Sequence, residues 1–153
     1  MERKELNKTL RNMAAGIGAC APVVSEWKDE DDADTLLDRY IRTLDFAIDK
    51  DFPPLDFIVE NFDIADLHKH NIFINEVVQM KDADHGIYVF LGSCSGSVRA
   101  NGLKAVTLFI RHNSRIDVMA GDGARVQVRL CEKGSCTETM DGVSRISVLK
   151  KKS

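Results

Sequence analysis

The chain has no apolar run approaching the ~20 residues that a membrane-spanning helix requires, so no membrane partner is expected. Its first residues, MERKELNKTLRNM, are charged throughout and lack the apolar core of a secretory signal, which points to the cytoplasm. Cysteine is scarce. Cys20, Cys94, Cys131 and Cys136 are too few and too irregularly spaced for a disulfide framework, and they read as small buried hydrophobes or surface thiols in a reducing compartment. The motifs of several enzyme classes are also missing: there is no P-loop, no G-x-S-x-G, no H-E-x-x-H and no zinc-ligand spacing. No metal and no cofactor are therefore expected. Gly92-Ser93-Cys94-Ser95-Gly96 resembles a nucleophile elbow, but it falls between two strands, where an elbow needs a strand followed by a helix. Neither sign of charge dominates, the net being −3, yet residues 1–91 carry −9 and residues 92–153 carry +6. Attraction between the two halves, within one molecule or between neighbours, follows from that division.

What is present is a repeat. From Gly86 onward the chain reads GIYVFLGSCS, GSVRANGLKA, VTLFIRHNSR, IDVMAGDGAR, VQVRLCEKGS, CTETMDGVSR and ISVLKKKS, a period of ten residues. Unit positions one, three and five are mostly apolar, as in Val106, Leu108 and Ile110 or Val126, Val128 and Leu130, while positions two and four are mostly polar. Alternation of that kind marks a half-buried strand, and its recurrence in one register marks a stacked β repeat. A β-solenoid with two arms per coil of ~20 residues and an antiparallel meander both use such a unit. Constant spacing and like-on-like columns favour the solenoid. Glu138 interrupts the inward column, so its unit either bulges or lies where the interior opens to water.

The first half reads as helices. Leu6, Leu10 and Met13 recur at helical spacing within 2–15, and Leu36, Leu37, Tyr40, Ile41, Leu44, Ala47 and Ile48 make a broad apolar face over 35–50. Pro53 and Pro54 end that segment, and shorter helices follow over 55–62 and 63–70, the last with Asp63 as its cap. Trp27 is expected in the core beside Val23 and Val24. The run Asp29-Glu30-Asp31-Asp32-Ala33-Asp34 lacks the glycine and the distal glutamate of a calcium loop, and reads as acidic residues capping the next helix. The fold class is thus α+β: a helical part over 1–71 packed on or capping the repeat, a connector with a short extended segment over 72–85, and a β-repeat part over 86–153.

The candidate binding residues are few. His112 lies in Arg111-His112-Asn113-Ser114-Arg115 at the end of an apolar strand; a turn residue hydrogen-bonding the backbone is the default reading, and a turn on a rigid repeat is also where binding groups are commonly carried. Arg115, Arg125 and Arg145 all occupy unit position ten; in a solenoid Arg125 and Arg145 share one edge and Arg115 takes the opposite one. Such an edge can meet phosphate or carboxylate, and solvated turns or contact with the acidic half explain it as well. His68 and His70 point about 200° apart on a helix and share a metal only if their segment is extended.

Short segments throughout the chain, among them Leu10-Arg11-Asn12-Met13, Asp38-Arg39-Tyr40-Ile41, Asp51-Phe52-Pro53, Glu60-Asn61-Phe62 and Ile110-Arg111-His112-Asn113-Ser114, are similar to a family of short uncharacterised proteins of Bacteroidetes, often within phage-like or conjugative elements. The resemblance implies a helical front followed by a β repeat. It implies no activity and carries no catalytic or binding residue across, and the ladder is less regular here, at Cys136 to Met140, than the family's. The sequence therefore points away from an enzyme. The leading expectation is an interaction or assembly protein, self-associating or holding a protein partner through the repeat, with Phe109, Met119 and Leu149 exposed. Nucleic-acid binding by the basic half, and a small hydrolase or nuclease around His112 and Arg111, are the alternatives.

Overall fold

Each ten-residue unit forms one strand and one turn. The strands are β1 (Ile72–Ile74), β2 (Val77–Met80), β3 (Gly86–Leu91), β4 (Ser95–Asn101), β5 (Ala105–Ile110), β6 (Arg115–Gly121), β7 (Arg125–Leu130), β8 (Ser135–Met140) and β9 (Arg145–Lys150). The odd-numbered strands make one sheet in the order β1-β3-β5-β7-β9, and the even-numbered ones another in the order β2-β4-β6-β8. Every pairing is parallel, with Val106↔Val126 and Ile116↔Cys136 typical of its register. This is a β-solenoid of two arms per coil, and the meander is excluded. The computed structural model describes residues 3–18, 28 and 31–151. It comprises two units, Met1–His70 and Asn71–Ser153.

The interior of the solenoid is the set of odd unit positions. Tyr88, Phe90, Val98, Ala100, Val106, Leu108, Ile110, Ile116, Val118, Ala120, Val126 and Val128 pack into one core, with Ile146 at its last coil. Burying each Val, Leu or Ile contributes roughly 1.5–3 kcal/mol against a backbone ordering cost of about 1–2 kcal/mol per residue. Position nine is a further inward column that the alternation within strands does not reveal. There Cys94, Ser114 and Ala124 are buried, and small side chains let the chain turn tightly between sheets. The segment 72–85, read from sequence as a connector, belongs to the solenoid: β1 and β2 pair with β3 and β4. Its coil is shorter, since Ile72 pairs with Val89 and Val77 with Ser95, and this departure from a ten-residue unit is what hid it. The unit containing Glu138 does not bulge, because β6 and β8 stay in unbroken register from Arg115↔Ser135 to Ala120↔Met140. Glu138 is exposed at the last coil instead. Phe109, expected at the surface, is 6% exposed, and the Arg129 guanidinium lies 5.6 Å from the centre of its ring.

The first unit holds α1 (Arg3–Gly16), α2 (Ala33–Arg42), α3 (Leu44–Lys50), α4 (Leu55–Asn61) and α5 (Ile64–Lys69). Leu6, Leu10, Ala14, Leu36 and Phe52 form its core, with Phe46 edge-on to Phe52 at 6.3 Å. The single helix expected over 35–50 is two, divided at Thr43. The Thr43 hydroxyl donates to the Arg39 carbonyl at 2.8 Å, competing with the helical ladder. Asp32 caps α2 by accepting from the Thr35 N–H at 2.8 Å, a bond that holds its carboxyl below the ordinary carboxylate value. Asp31 accepts from the largely buried Arg39 guanidinium at 3.0 Å, and the buried Asn7 amide donates to the Asp31 carbonyl at 2.8 Å. Asp31 and Asp32 of the acidic run are thus engaged in local structure. Asp63 takes the N-cap place of α5 but makes no side-chain cap bond. Trp27, Val23, Val24, Cys20, Asp29 and Glu30 lie outside the described residues. No helix among the described residues is long and apolar enough to cross a membrane.

Candidate functional site

Turns that lead from the odd sheet to the even sheet share one backbone device. Asn75, Gly92, His112 and Glu132 occupy equivalent places in successive coils, and all four have left-handed φ, of 52°, 71°, 56° and 56°. Three of the four are residues with side chains long enough to reach the next coil. The Ser93 N–H donates to Asn75 Oδ1 at 2.8 Å. The Gly92 N–H donates to His112 Nδ1 at 2.9 Å, which places the ring proton on Nε2, 3.2 Å from Glu132 Oε2. Arg111, 2% exposed, donates from Nε to Glu132 Oε1 at 2.9 Å. Beneath them the Ser114 hydroxyl accepts from the Cys94 N–H and donates to the Gly92 carbonyl, both at 3.1 Å.

Arg111 and His112 are therefore brought together, with a carboxylate that the sequence reading did not include. Glu132 lies twenty residues after His112, and that coil interval was the signal that could have found it. The arrangement is a latch: both imidazole nitrogens are engaged, so neither is left to take a proton from a substrate. His112→Ala leaves the buried Gly92 N–H without its acceptor and places an alanine at positive φ. A loss of about 2 kcal/mol in urea unfolding is expected. His112→Asn, which tolerates this backbone and can accept as Asn75 does, should recover most of that loss.

The other candidate residues separate. Arg115 begins β6 in the even sheet, between Ser95 and Ser135. Arg125 and Arg145 begin β7 and β9 in the odd sheet and pair directly with one another, one coil apart. All three are exposed. The five basic or imidazole residues thus sit on two different edges and do not form one patch. The opposite turns have a latch of their own, in which the Asp141 carboxylate accepts from the backbone N–H groups of Asp122, Val143 and Ser144. The Ser144 hydroxyl and these N–H groups keep its carboxyl below the ordinary value.

The three cysteines among the described residues are held as thiols. Burial raises the pKa of Cys94, Cys131 and Cys136, so the thiolate is disfavoured at each. The Cys94 thiol donates to the carbonyls of Phe73 and Leu91, both at 3.3 Å, and all three cysteines are free. His70 and Lys69 converge on Asp34, at 3.1 and 3.2 Å, and lower its pKa. Among the described residues no group of three His, Cys, Asp or Glu side chains could hold a metal ion.

One concavity lies on the outer face of the even sheet. It is a groove of about 410 Å³ lined by Gln79, Met80, Lys81, Ser97, Arg99, Asn101 and Met119. Gln79 stands beside Ser97 and Arg99 beside Met119 in the ladder. The sequence reading passed over these residues because most looked like ordinary outward positions of their own strands. Only the stacking of β2, β4 and β6 assembles them.

The geometry defines a two-sheet parallel β-solenoid that follows a helical unit. No family model matches the chain, and no curated protein or solved structure matches it either.

Proposed function

We propose that the protein is a non-enzymatic assembly module whose solenoid self-associates through its last coil. One observation carries this reading. β8 and β9 are the edges of their sheets, and the coil they form exposes apolar side chains: Met140 by 43%, Val143 by 72%, Val148 by 39% and Leu149 by 57%. Met140 and Val148 occupy inward columns and lack only a next coil to cover them. Among the described residues, the ladder bonds of this coil run back to the preceding one, from Arg145 N to Ala124 O and from Lys151 N to Leu130 O. Alternate residues of a parallel strand turn their N–H groups to opposite sides, so those of Ile146, Val148 and Lys150 face the open edge. An edge of this kind is a template for another strand.

The occupant proposed is a second copy of the chain. β8 carries Glu138 and no basic residue, whereas β9 carries Arg145 and Lys150 and no acidic one. Successive solenoid arms run in opposite directions. A two-fold axis that lays β9 of one copy along β8 of the other makes an antiparallel pair with opposite charges across it, and closes the assembly.

Light scattering of the intact chain should give a dimer at micromolar concentration. Lys150→Pro removes an edge N–H while sparing the bonds to β7, and Glu138→Lys places like charges across the seam; each should yield monomer with its melting temperature retained. A wild-type monomer at millimolar concentration would reject the reading. The nucleic-acid alternative is weaker because its arginines are divided between two edges, and the hydrolase alternative because His112 is fully hydrogen-bonded.

A further inference from the structure

We propose that the groove on the outer face of the even sheet binds a saccharide bearing a carboxylate. The surface is remote in sequence from the last coil, and the inference does not depend on self-association. Lys81, the residue just past the end of β2, and Arg99 of β4 both line the groove. Both are exposed, and among the described residues neither has an acidic partner; the Arg99 Nε hydrogen bond goes to the neutral Asn101 Oδ1, at 3.4 Å. Like charges gathered in one groove repel. An anion between them removes that repulsion. The planar guanidinium of Arg99 matches a carboxylate in two-point fashion, and the Lys81 ammonium adds a point charge.

The remaining lining narrows the class. No carboxylate and no aromatic ring lines the groove, so a nucleobase finds nothing to stack on. The backbone beneath is committed to the β2·β4·β6 ladder, which withholds the main-chain N–H cradle that phosphate sites commonly use. The donors and acceptors are side chains: the amides of Gln79 and Asn101, each able to give and take, and the hydroxyl of Ser97. A polyhydroxylated ring needs that mixture. Met119 supplies an apolar surface for the C–H face of the ring. Two cations, two amides, a hydroxyl and two thioethers around one shallow groove suit a sugar acid better than a nucleotide or a peptide side chain.

The test is isothermal titration of the intact chain with trigalacturonate at low salt, with cellotetraose and a thymidine octanucleotide as comparators. Saturable binding of trigalacturonate is expected, weakened at least ten-fold in Arg99→Ala and several-fold in Lys81→Ala. It should be unchanged in Arg125→Ala, which removes a charge from the other sheet, and in Lys150→Pro, which blocks the open edge. Absence of binding at millimolar trigalacturonate would overturn the proposal. So would equal binding by Arg99→Ala, or an affinity for cellotetraose or the oligonucleotide that matches the one for trigalacturonate.

Discussion

Val128→Asp unfolds the β-repeat unit, while Gln127→Asp one residue earlier leaves the melting temperature within about 2 °C of the wild type. Both substitutions install the same carboxylate on β7, so net charge changes equally. Val128 is fully buried between Leu108 and Val148 in the inward column, whereas Gln127 is exposed beside Thr107 and Ser147. A carboxylate at 128 loses its hydration and has no cation in the core to meet it. The penalty for such a group, together with the lost side-chain burial, is about 4 kcal/mol or more, a large part of the ~5–15 kcal/mol that holds a domain folded. Thermal unfolding followed by circular dichroism at the strand signal decides the matter. Equal melting temperatures for the two variants would mean that odd unit positions do not face the interior.

That frame was legible because strands alternate strictly and the coil length is constant. Leu108, Val118 and Val128 announce their column by simple spacing, and the pairing of Arg125 with Arg145 follows from the same count. The features that escaped the sequence break the count or lie between counts. β1 and β2 stack at offsets of 17 and 18 residues, as Ile72↔Val89 and Val77↔Ser95 show, so a ten-residue frame steps past them. Thr43 divides a helix through one hydroxyl bond that apolar periodicity cannot register. Glu132 joins Arg111 and His112 because left-handed turn residues stack from coil to coil, and the sequence marks such places only by a change to Asn, Gly, His or Glu. The groove is further still from view, since Lys81 and Arg99 are eighteen residues apart and meet through the shortened coil.

Gly96 joins these two lessons. Its unit position is filled by Val106, Ile116, Val126 and Ile146 in four of the six other units, with Gly86 and Cys136 in the remaining two, so the repeat taken alone favours a β-branched residue there. The shortened first coil argues otherwise. Gly96 pairs with Val78 of β2, its φ is +131°, and a Cβ on it would run into the Val78 carbonyl. An alanine must therefore adopt a backbone that L residues avoid and also push apart the strands beneath the groove. Gly96→Ala is expected to cost about 3 kcal/mol, and Gly96→Val more, read as the shift of the urea midpoint at constant slope. Gly142 is the control: nothing lies within 4 Å of a Cβ there, so Gly142→Ala should be nearly neutral. Because β2 carries Gln79 and leads into Lys81, Gly96→Ala should also weaken trigalacturonate binding, whereas Gly142→Ala should not. If Gly96→Val instead stabilised the protein, β2 would not stack on β4, and the first coil and the groove would both have to be abandoned.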